Sequence, residues 1–484
     1  MNARQKSRCD ASGKGSRMCA LFRFAPGICL ALVAWNLASA QSAEQNSRLV
    51  DHFADNGLGN AVAVVQHPAG EHYKGVTYVS YQGPLEDPYV ASYNHETREW
   101  AGPFKAGVSD MGKDPDRPKA IDNHGKPTLI IDNAGYIHVF FGGHGGMPKH
   151  GKNPLGNHHY GRNKHVVTKK PLDISSWEEL DTIPAFGTYN QVVKMDNGDI
   201  YLFYRHGAHR SDWVYQISTD NGRSFAPPLS FLKHKRRDDL AAVDSWYAWV
   251  GRGQGDDIIV SYDYHLCWDS DANNGRGHTT ERHDAYYMVF DTKSGAWRNI
   301  AGRDLEMPIT REYADKTTFA VSTGGLWTFG GSAHLDPGGR PHIGINIGED
   351  LGEITGGPKR TTHFRWDGEG WVGGTSPVKI ESRGDFIVRS EKEVSFLLAY
   401  SDDSDGVVAW WNSTDGGARF TKGDELLRRG KAKWAITSII RNAHPDAQVV
   451  VAEKPPGTDF RNMYLLGESG PIKRKQSEAT ILQP

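Results

Sequence analysis

The amino-acid sequence predicts an all-β protein that folds as a single-domain, seven-bladed β-propeller. No long segment combines the 3.6-residue apolar period of an α-helix with capping residues, whereas short apolar or alternating runs recur throughout. Turn-forming dipeptides separate these runs, and the chain contains 55 glycines. The predicted strands include residues 61–65, 75–81, 128–131, 192–195, 257–262, 286–290, 342–347 and 394–400.

One strand and its preceding turn are repeated along the chain. Ile137 begins an apolar strand after an Asp-Asn turn, and Ile200 begins a similar strand 63 residues later. A repeat of this length is typical of a multistranded sheet, and in closed arrays of sheets equivalent strand ends converge. Residues 41–484 divided by this offset give about seven sheets, although six or eight stay open.

A second repeat predicts hairpin turns. Residues 218–225 and 413–420 both match the Ser-x-Asp-x-Gly-x-x-aromatic box found in sialidase-type propellers, and looser forms occur at 93–100, 290–297 and 364–371. The Asp carboxylate caps the turn, and Gly supplies a positive φ angle. The box therefore indicates architecture and carries no chemistry.

Residues 1–40 are predicted to be a cleaved signal peptide. Basic residues precede an apolar run at 28–37, and the small residues Ala38-Ser39-Ala40 follow it. The run is too short to span a bilayer, and a retained anchor is the alternative. We therefore expect a secreted or periplasmic protein in which residues 41–484 form the propeller. Only Cys267 would remain in it, which excludes an internal disulfide.

The overall charge gives no reason to expect nucleic acid or membrane as a partner. The chain has 56 basic and 58 acidic residues, and we expect a monomer. The one basic run, at residues 233–237, is either a solvated loop or part of a groove that attracts a polyanion.

Four polar residues occupy matched positions in the two repeats. His124 precedes one predicted strand, and His144 ends the strand that follows it. Tyr189 and Arg205 occupy the same positions in the next repeat, with Tyr189 65 residues after His124. We therefore expect these four residues to share one pocket. The alternative is that each is a turn or core residue with local hydrogen-bond partners.

These side chains suit β-elimination better than hydrolysis. Glycoside hydrolases usually use two carboxylates, and these segments contain no clear carboxylate pair. In a uronate, the C5 proton becomes acidic when Arg and His or Asn neutralise the adjacent carboxylate, because their hydrogen bonds strengthen as an enediolate develops. A neutral His or a Tyr can then remove the proton, and a second such group can protonate the leaving oxygen.

Residues 60–374 resemble the ulvan lyases of polysaccharide lyase families 24 and 25, and family 25 is the more similar. The resemblance rests on four motifs: Asn123-His124-Gly125, Phe141-Gly142-Gly143-His144, Gly187-Thr188-Tyr189 and Tyr204-Arg205-His206-Gly207. It implies a secreted seven-bladed propeller that cleaves ulvan by β-elimination between rhamnose-3-sulfate and glucuronate or iduronate. The product would carry an unsaturated uronate end, and the resemblance implies that the binding partner is an anionic, sulfated uronate polysaccharide.

The resemblance also implies roles for individual residues. His124 and Tyr189 correspond to the acid/base pair, and His144 and Arg205 to the groups that neutralise the carboxylate. Tyr247 resembles a substrate contact. Which of His124 and Tyr189 is the base stays open, and glucuronate and iduronate could require different bases.

A structural zinc ion is predicted at a cluster of one thiol and three imidazoles: His209, His265, Cys267 and His278. Such a ligand set completes a closed tetrahedral site, and the family resemblance implies zinc as well. His209 is also a candidate substrate contact. The alternative is a buried cysteine without a metal, and Asp269 and His283 are substitute ligands.

Three other functions stay open. A lyase of the same propeller group could cleave unsulfated rhamnosyl-glucuronate in plant or gum polysaccharides. A sialidase should contain an early Arg-Ile-Pro motif, which this sequence lacks. A glycan-binding propeller without activity would not need four matched polar residues.

Overall fold

The computed structural model describes residues 47–113, 121–375, 378, 383–434 and 438–477. Within these ranges almost all regular structure is β, with one short helix α1 (Arg311–Thr317) and 3-10 turns at Pro84–Glu86 and Pro148–His150. Strands β1 (Ser47–Val50) and β2 (Ala54–Leu58) begin the described chain.

The next three groups of strands are antiparallel and follow chain order. The first contains β3 (Gly70–Tyr73), β4 (Val76–Gln82), β5 (Pro88–Asn94) and β6 (Glu99–Lys105). The second contains β7 (Thr128–Ile131), β8 (Ile137–His144), β9 (Tyr160–Thr168) and β10 (Trp177–Leu180). The third contains β11 (Thr188–Lys194), β12 (Ile200–Arg205), β13 (Trp213–Ser218) and β14 (Leu229–Leu232).

Three further sheets continue this order. The largest contains β15 (Lys235–Arg236), β16 (Ala242–Arg252), β17 (Asp257–Trp268), β18 (Arg282–Asp291), β19 (Ala296–Arg298) and β20 (Phe319–Val321). The next contains β21 (Trp327–Leu335), β22 (Pro341–Gly348), β23 (Lys359–Trp366) and β24 (Trp371–Gly373). The last of the three contains β25 (Arg383–Val388), β26 (Val394–Asp402), β27 (Asp405–Ser413) and β28 (Thr421–Gly430).

The N-terminal strand β2 completes the final group by pairing with β32. This group contains β29 (Lys433–Trp434), β30 (Ser438–His444), β31 (Ala447–Lys454), β32 (Phe460–Gly467) and β33 (Gly470–Pro471). A single parallel pair, Glu71 with Arg441, joins β30 to β3. The remaining strand, β34 (Arg474–Ser477), pairs with β1 in a two-stranded sheet.

The all-β propeller class is confirmed. Divided at the parallel pair, the described strands other than β1 and β34 form seven antiparallel groups, so seven blades is a prediction that this grouping supports. The repeat is confirmed as well, because Ile137 and Ile200 each begin the second strand of their group. Apolar clusters between neighbouring groups form the core.

Two strand predictions need correction. Residues 61–65 form no strand, because Ala61 and Val62 pack in one hydrophobic cluster while Val64 and Val65 pack against two others. This segment therefore passes from one sheet to others, and apolar contacts hold it in place without pairing to a strand. Tyr189 was expected to precede its strand, but it lies inside β11.

The two turn boxes have the same hydrogen bonds. The hydroxyl of Ser218 donates to Asp220 at 2.8 Å and accepts from the backbone N–H of Gly222 at 2.8 Å. In the second box, Ser413 makes the equivalent contacts at the same distances. Gly222 has φ 74° and packs against the imidazole of His138 in the preceding group, which leaves no room for a side chain.

The predicted signal peptide and its cleavage site lie outside the described residues. No helix of the described chain has the length and apolar character needed to cross a membrane. Cys267 is buried and forms no disulfide. The basic run makes ion pairs with acidic residues that include Asp212 and Asp269, which agrees with a solvated loop more than with a groove wall.

Candidate active site

A cavity of about 840 Å³ is lined by residues from several sheets, including His124, Tyr189 and Tyr247. His124 lies in the turn before β7, and Tyr247 lies within β16. Tyr189 has φ 62° at an irregularity in the pairing of β11 with β12. A positive φ angle is unusual for tyrosine, and such distortions of a strand often redirect a side chain toward a site.

Two histidines share one carboxylate beside the cavity. Asp122 accepts a hydrogen bond from His124 Nδ1 through one oxygen and from His144 Nδ1 through the other, the latter at 2.7 Å. The two imidazoles are stacked with centroids 3.6 Å apart and an interplanar angle of 11°. When either ring is neutral and donates from Nδ1, its lone pair lies on Nε2.

The electrostatics keep His124 neutral. Burial and the adjacent His144 lower the pKa of His124 to about 3. Burial opposes ionisation of Asp122, but the hydrogen bonds from the two histidines lower its pKa below the usual range. At neutral pH the site therefore contains a carboxylate and an imidazole that can accept a proton.

The predicted residues form a continuous row of contacts. The ring centroids of His124 and Tyr189 are 5.4 Å apart, and Arg205 Cζ lies 4.9 Å from the centroid of Tyr189. With the stacking of His144 on His124, the fold brings all four predicted residues together.

Two phenols in this row have different protonation tendencies. Burial, followed by the neighbouring Tyr247, raises the pKa of Tyr189 well above its usual value. Burial acts in the same direction on Tyr247, but the guanidinium groups of Arg205 and Arg282 lower its pKa. Arg282 Cζ lies only 3.3 Å from the centroid of Tyr247. Tyr189 is therefore the phenol that stays protonated most strongly.

Arg205 is fully buried, and its polar neighbour is the Tyr247 hydroxyl, which meets none of the three guanidinium nitrogens in full hydrogen-bond geometry. Among the described residues no carboxylate pairs with this guanidinium. Its contacts are with the rings of Tyr189 and Tyr247, 4.9 and 5.1 Å from their centroids. A buried charged group without acceptors is costly. The fold therefore maintains a cationic donor group ready for an anion.

The predicted metal ligands also meet. Ligand atoms of His209, His265 and His278 all lie within 4.8 Å of one another. Cys267 is outside that group, although its Sγ lies 3.5 Å from His278 Nδ1. His209 also lies beside the catalytic candidates, because its ligand atoms are equally close to those of His124 and His144. His209 Nδ1 is 3.4 Å from the hydroxyl of Tyr247, the other predicted substrate contact.

Sequence reasoning missed three residues of this site. Asp122 could have been found, because an Asp two residues before a candidate histidine suggests an orienting carboxylate. Arg282 and Asp263, which also line the cavity, carry no motif. Asp263 is buried, which raises its pKa to about 6. Of the substitute metal ligands, Asp269 binds Arg210 and Arg236, and His283 binds Glu281.

Known proteins resemble this chain over most of its length. Residues 154–373 match the model of a BNR repeat-containing family. "Ulvan Lyase-PL25" of Pseudoalteromonas sp. (strain PLSV) is 59% identical over 447 residues, which cover 92% of this chain and 91% of that protein. "Ulvan lyase" of Nonlabens ulvanivorans is 57% identical over 459 residues, which cover 94% and 97%. A solved PL25 ulvan lyase bound to -[GlcA(1-4)Rha3S]- has a TM-score of 0.87 and 59% identity, and covers 90% of this chain and 100% of its own.

Proposed function

This chain belongs to the ulvan lyases of polysaccharide lyase family 25, and we propose that it cleaves ulvan through His124, His144, Tyr189 and Arg205. The bond would be the one between rhamnose-3-sulfate and glucuronate or iduronate. The solved relative that binds -[GlcA(1-4)Rha3S]- supports this choice of substrate.

The observation that carries the proposal is the buried guanidinium of Arg205, which has no carboxylate partner among the described residues. A uronate carboxylate would accept its N–H groups in a bidentate arrangement, and His144 would add a further donor when protonated. These hydrogen bonds strengthen as charge develops on the carboxylate in the enediolate, so they stabilise the transition state more than the ground state.

Proton transfer would use the other two residues. His124 is neutral with its lone pair on Nε2, and Asp122 orients the ring, so His124 is suited to accept the C5 proton. The phenol of Tyr189 stays protonated and is suited to donate to the leaving O4. Abstraction at C5 followed by loss of O4 creates the double bond between C4 and C5.

The zinc ligand set is part of the same proposal. His265 donates from Nε2 to the carbonyl oxygen of Thr279 at 3.1 Å, which places the lone pair on Nδ1. That Nδ1 is buried and has no hydrogen-bond partner. An unpartnered lone pair near two imidazoles, of which that of His278 contacts the Cys267 sulfur, fits a zinc ion, which would stabilise the loop after β17. We also retain export through a signal peptide and a monomeric state as predictions.

The proposal is tested by the ultraviolet absorbance of the unsaturated uronate. Purified protein on ulvan should give a rising signal, and Arg205→Ala should lower the rate about 100-fold or more. The same assay on an unsulfated rhamnosyl-glucuronate gum distinguishes an ulvan lyase from a lyase of unsulfated polysaccharides. A signal on the gum but none on ulvan would move the assignment to the unsulfated substrate.

A further inference from the structure

A second imidazole cluster lies outside the cavity, where the first and last groups of strands meet. His95 directly follows β5, His444 ends β30, and Asp446 lies in the turn before β31. One possible ligand atom from each of the three lies within 4.8 Å of the others. The rings of His95 and His444 have centroids only 3.9 Å apart.

We propose that His95, His444 and Asp446 bind a divalent transition-metal ion such as zinc, which cross-links β5 to β30. Two imidazoles and a carboxylate are a common ligand set for zinc, with water at the remaining position. This ion is distinct from the zinc proposed beside Cys267, and neither proposal depends on the other.

Thr77 supports His95 as a ligand. The Thr77 hydroxyl is fully buried and lies 2.8 Å from His95 Nε2 and 3.0 Å from His72 Nδ1. When Nε2 of His95 donates to this oxygen, the lone pair is on Nδ1, and metal-binding histidines usually have such a partner on the other nitrogen.

The other two ligands need only small changes. His444 Nδ1 accepts a long hydrogen bond, 3.2 Å, from the backbone N–H of Asp446, and a metal ion at Nδ1 would replace this bond. An oxygen of the Asp446 carboxylate lies 3.9 Å from the same nitrogen. Because the Asp446 side chain is 61% exposed, its carboxylate can rotate toward the ion at little cost.

The position of the cluster gives the ion a structural role. Only one residue pair, Glu71 with Arg441, connects β3 to β30 by strand pairing. Side-chain contacts from Glu71 to Asn442 at 3.3 Å and Arg441 at 3.8 Å supplement it. An ion held by residues of both groups would reinforce this junction, and the native state would gain stability with the logarithm of the ion concentration relative to its Kd.

The test is the number of zinc ions that the mature chain retains after equilibrium dialysis against micromolar zinc. We expect His444→Ala and Asp446→Asn each to lose one zinc per chain relative to the parent. His150→Ala, which removes a histidine outside every cluster described, should lose none. His278→Ala reports the other zinc, so its result is separate from that of His444→Ala. Thr77→Val should weaken binding about 10-fold, through loss of the hydrogen bond to His95.

A second readout keeps the test decisive. Zinc should raise the Tm of the parent and of His150→Ala more than that of Asp446→Asn, which keeps only the site beside Cys267. Because the Asp446 side chain is exposed, its replacement by Asn should not impair folding. The proposal is overturned if His444→Ala and Asp446→Asn retain as much zinc as the parent. It is overturned equally if zinc raises the Tm of Asp446→Asn as much as that of the parent.

Discussion

The imidazoles of His124 and His144 lie face to face, 3.6 Å apart, and both hydrogen-bond to the carboxylate of Asp122. The residues come from a turn before β7 and from the end of β8. One carboxylate thus sets the tautomer of two neighbouring rings, and places both Nε2 atoms where they can act on a substrate or an adjacent group.

Asp122→Asn should therefore lower kcat about 100-fold, because an amide can donate to Nδ1 and reverse the tautomer of either ring. Asp132→Asn is a matched control, since Asp132 contacts the buried His138 at 3.4 Å away from the cavity. The control should lower the Tm and leave kcat close to the parent value. Equal kcat losses in both variants would show that Asp122 acts only through stability.

Arg205→Met should abolish activity and also stabilise the protein. The guanidinium is buried and has no carboxylate partner among the described residues, so its replacement by an apolar side chain of similar length removes a desolvated charge. Replacing a whole buried ion pair by apolar side chains is neutral or raises the free energy of unfolding by about 1–4 kcal/mol, and removing a buried cation that has no carboxylate partner should act in the same direction. Urea denaturation measures this change. Arg205→Lys should keep the charge but lose the two-pronged contact, with kcat/KM still reduced. A large loss of stability in Arg205→Met would contradict a group held ready for substrate.

The sequence was sufficient for the propeller class and for the expectation that His124, His144, Tyr189 and Arg205 lie together, because both follow from a local pattern repeated at 63 residues. The catalytic roles of these four residues stay predictions. Arg282 was not predicted, because it contacts Tyr247 only through the pairing of β17 with β18. No motif near it in the sequence indicates this contact. Residues 61–65 have strand composition, yet they pack between sheets. Contacts between groups of strands are set by closure of the propeller, which no local pattern encodes.

Stability should fall as the pH drops below about 6.5. Burial lowers the pKa of His206 and His342 to about 4, and that of His363 to about 3. Between these values and the unfolded value near 6.5, the unfolded chain binds more protons than the folded chain, so protonation favours unfolding. Each histidine contributes a slope of up to about 1.4 kcal/mol per pH unit in that window.

Urea denaturation at pH 7.5, 6.5, 5.5 and 4.5 measures this slope. His363→Gln should make it shallower, since one titrating group is removed from the buried pair with His342. A free energy of unfolding that stays constant from pH 7.5 to 4.5 would show that these histidines titrate normally in the folded protein.

Removal of zinc should lower the Tm of the parent and of His150→Ala by several degrees, since an ion that binds only the folded chain stabilises it. Burial raises the pKa of the Cys267 thiol, whereas zinc binds the thiolate. Adding zinc to the chelated protein should therefore release a proton, which a pH indicator detects. Cys267→Ser should release less. Equal proton release by Cys267→Ser and the parent would remove Cys267 from the ligand set.

His124→Gln and Tyr189→Phe should separate the roles of base and acid when each variant is assayed on a substrate that contains only glucuronate and on one that contains only iduronate. Glucuronate and iduronate are epimers at C5, so the proton to be removed projects from opposite faces of the ring while O4 keeps its place. Tyr189→Phe should lower kcat on both epimers, because the same oxygen must be protonated in each case. His124→Gln should lower kcat on one epimer much more than on the other, because one base cannot reach both faces equally.

Losses of about 100-fold or more are expected for a residue that itself transfers the proton. Initial rates of absorbance on ulvan oligosaccharides of a single epimer provide the measurement. If His124→Gln lowers kcat equally on both epimers, His124 is the base for both. If Tyr189→Phe lowers kcat on one epimer only, Tyr189 is not the acid that both epimers share.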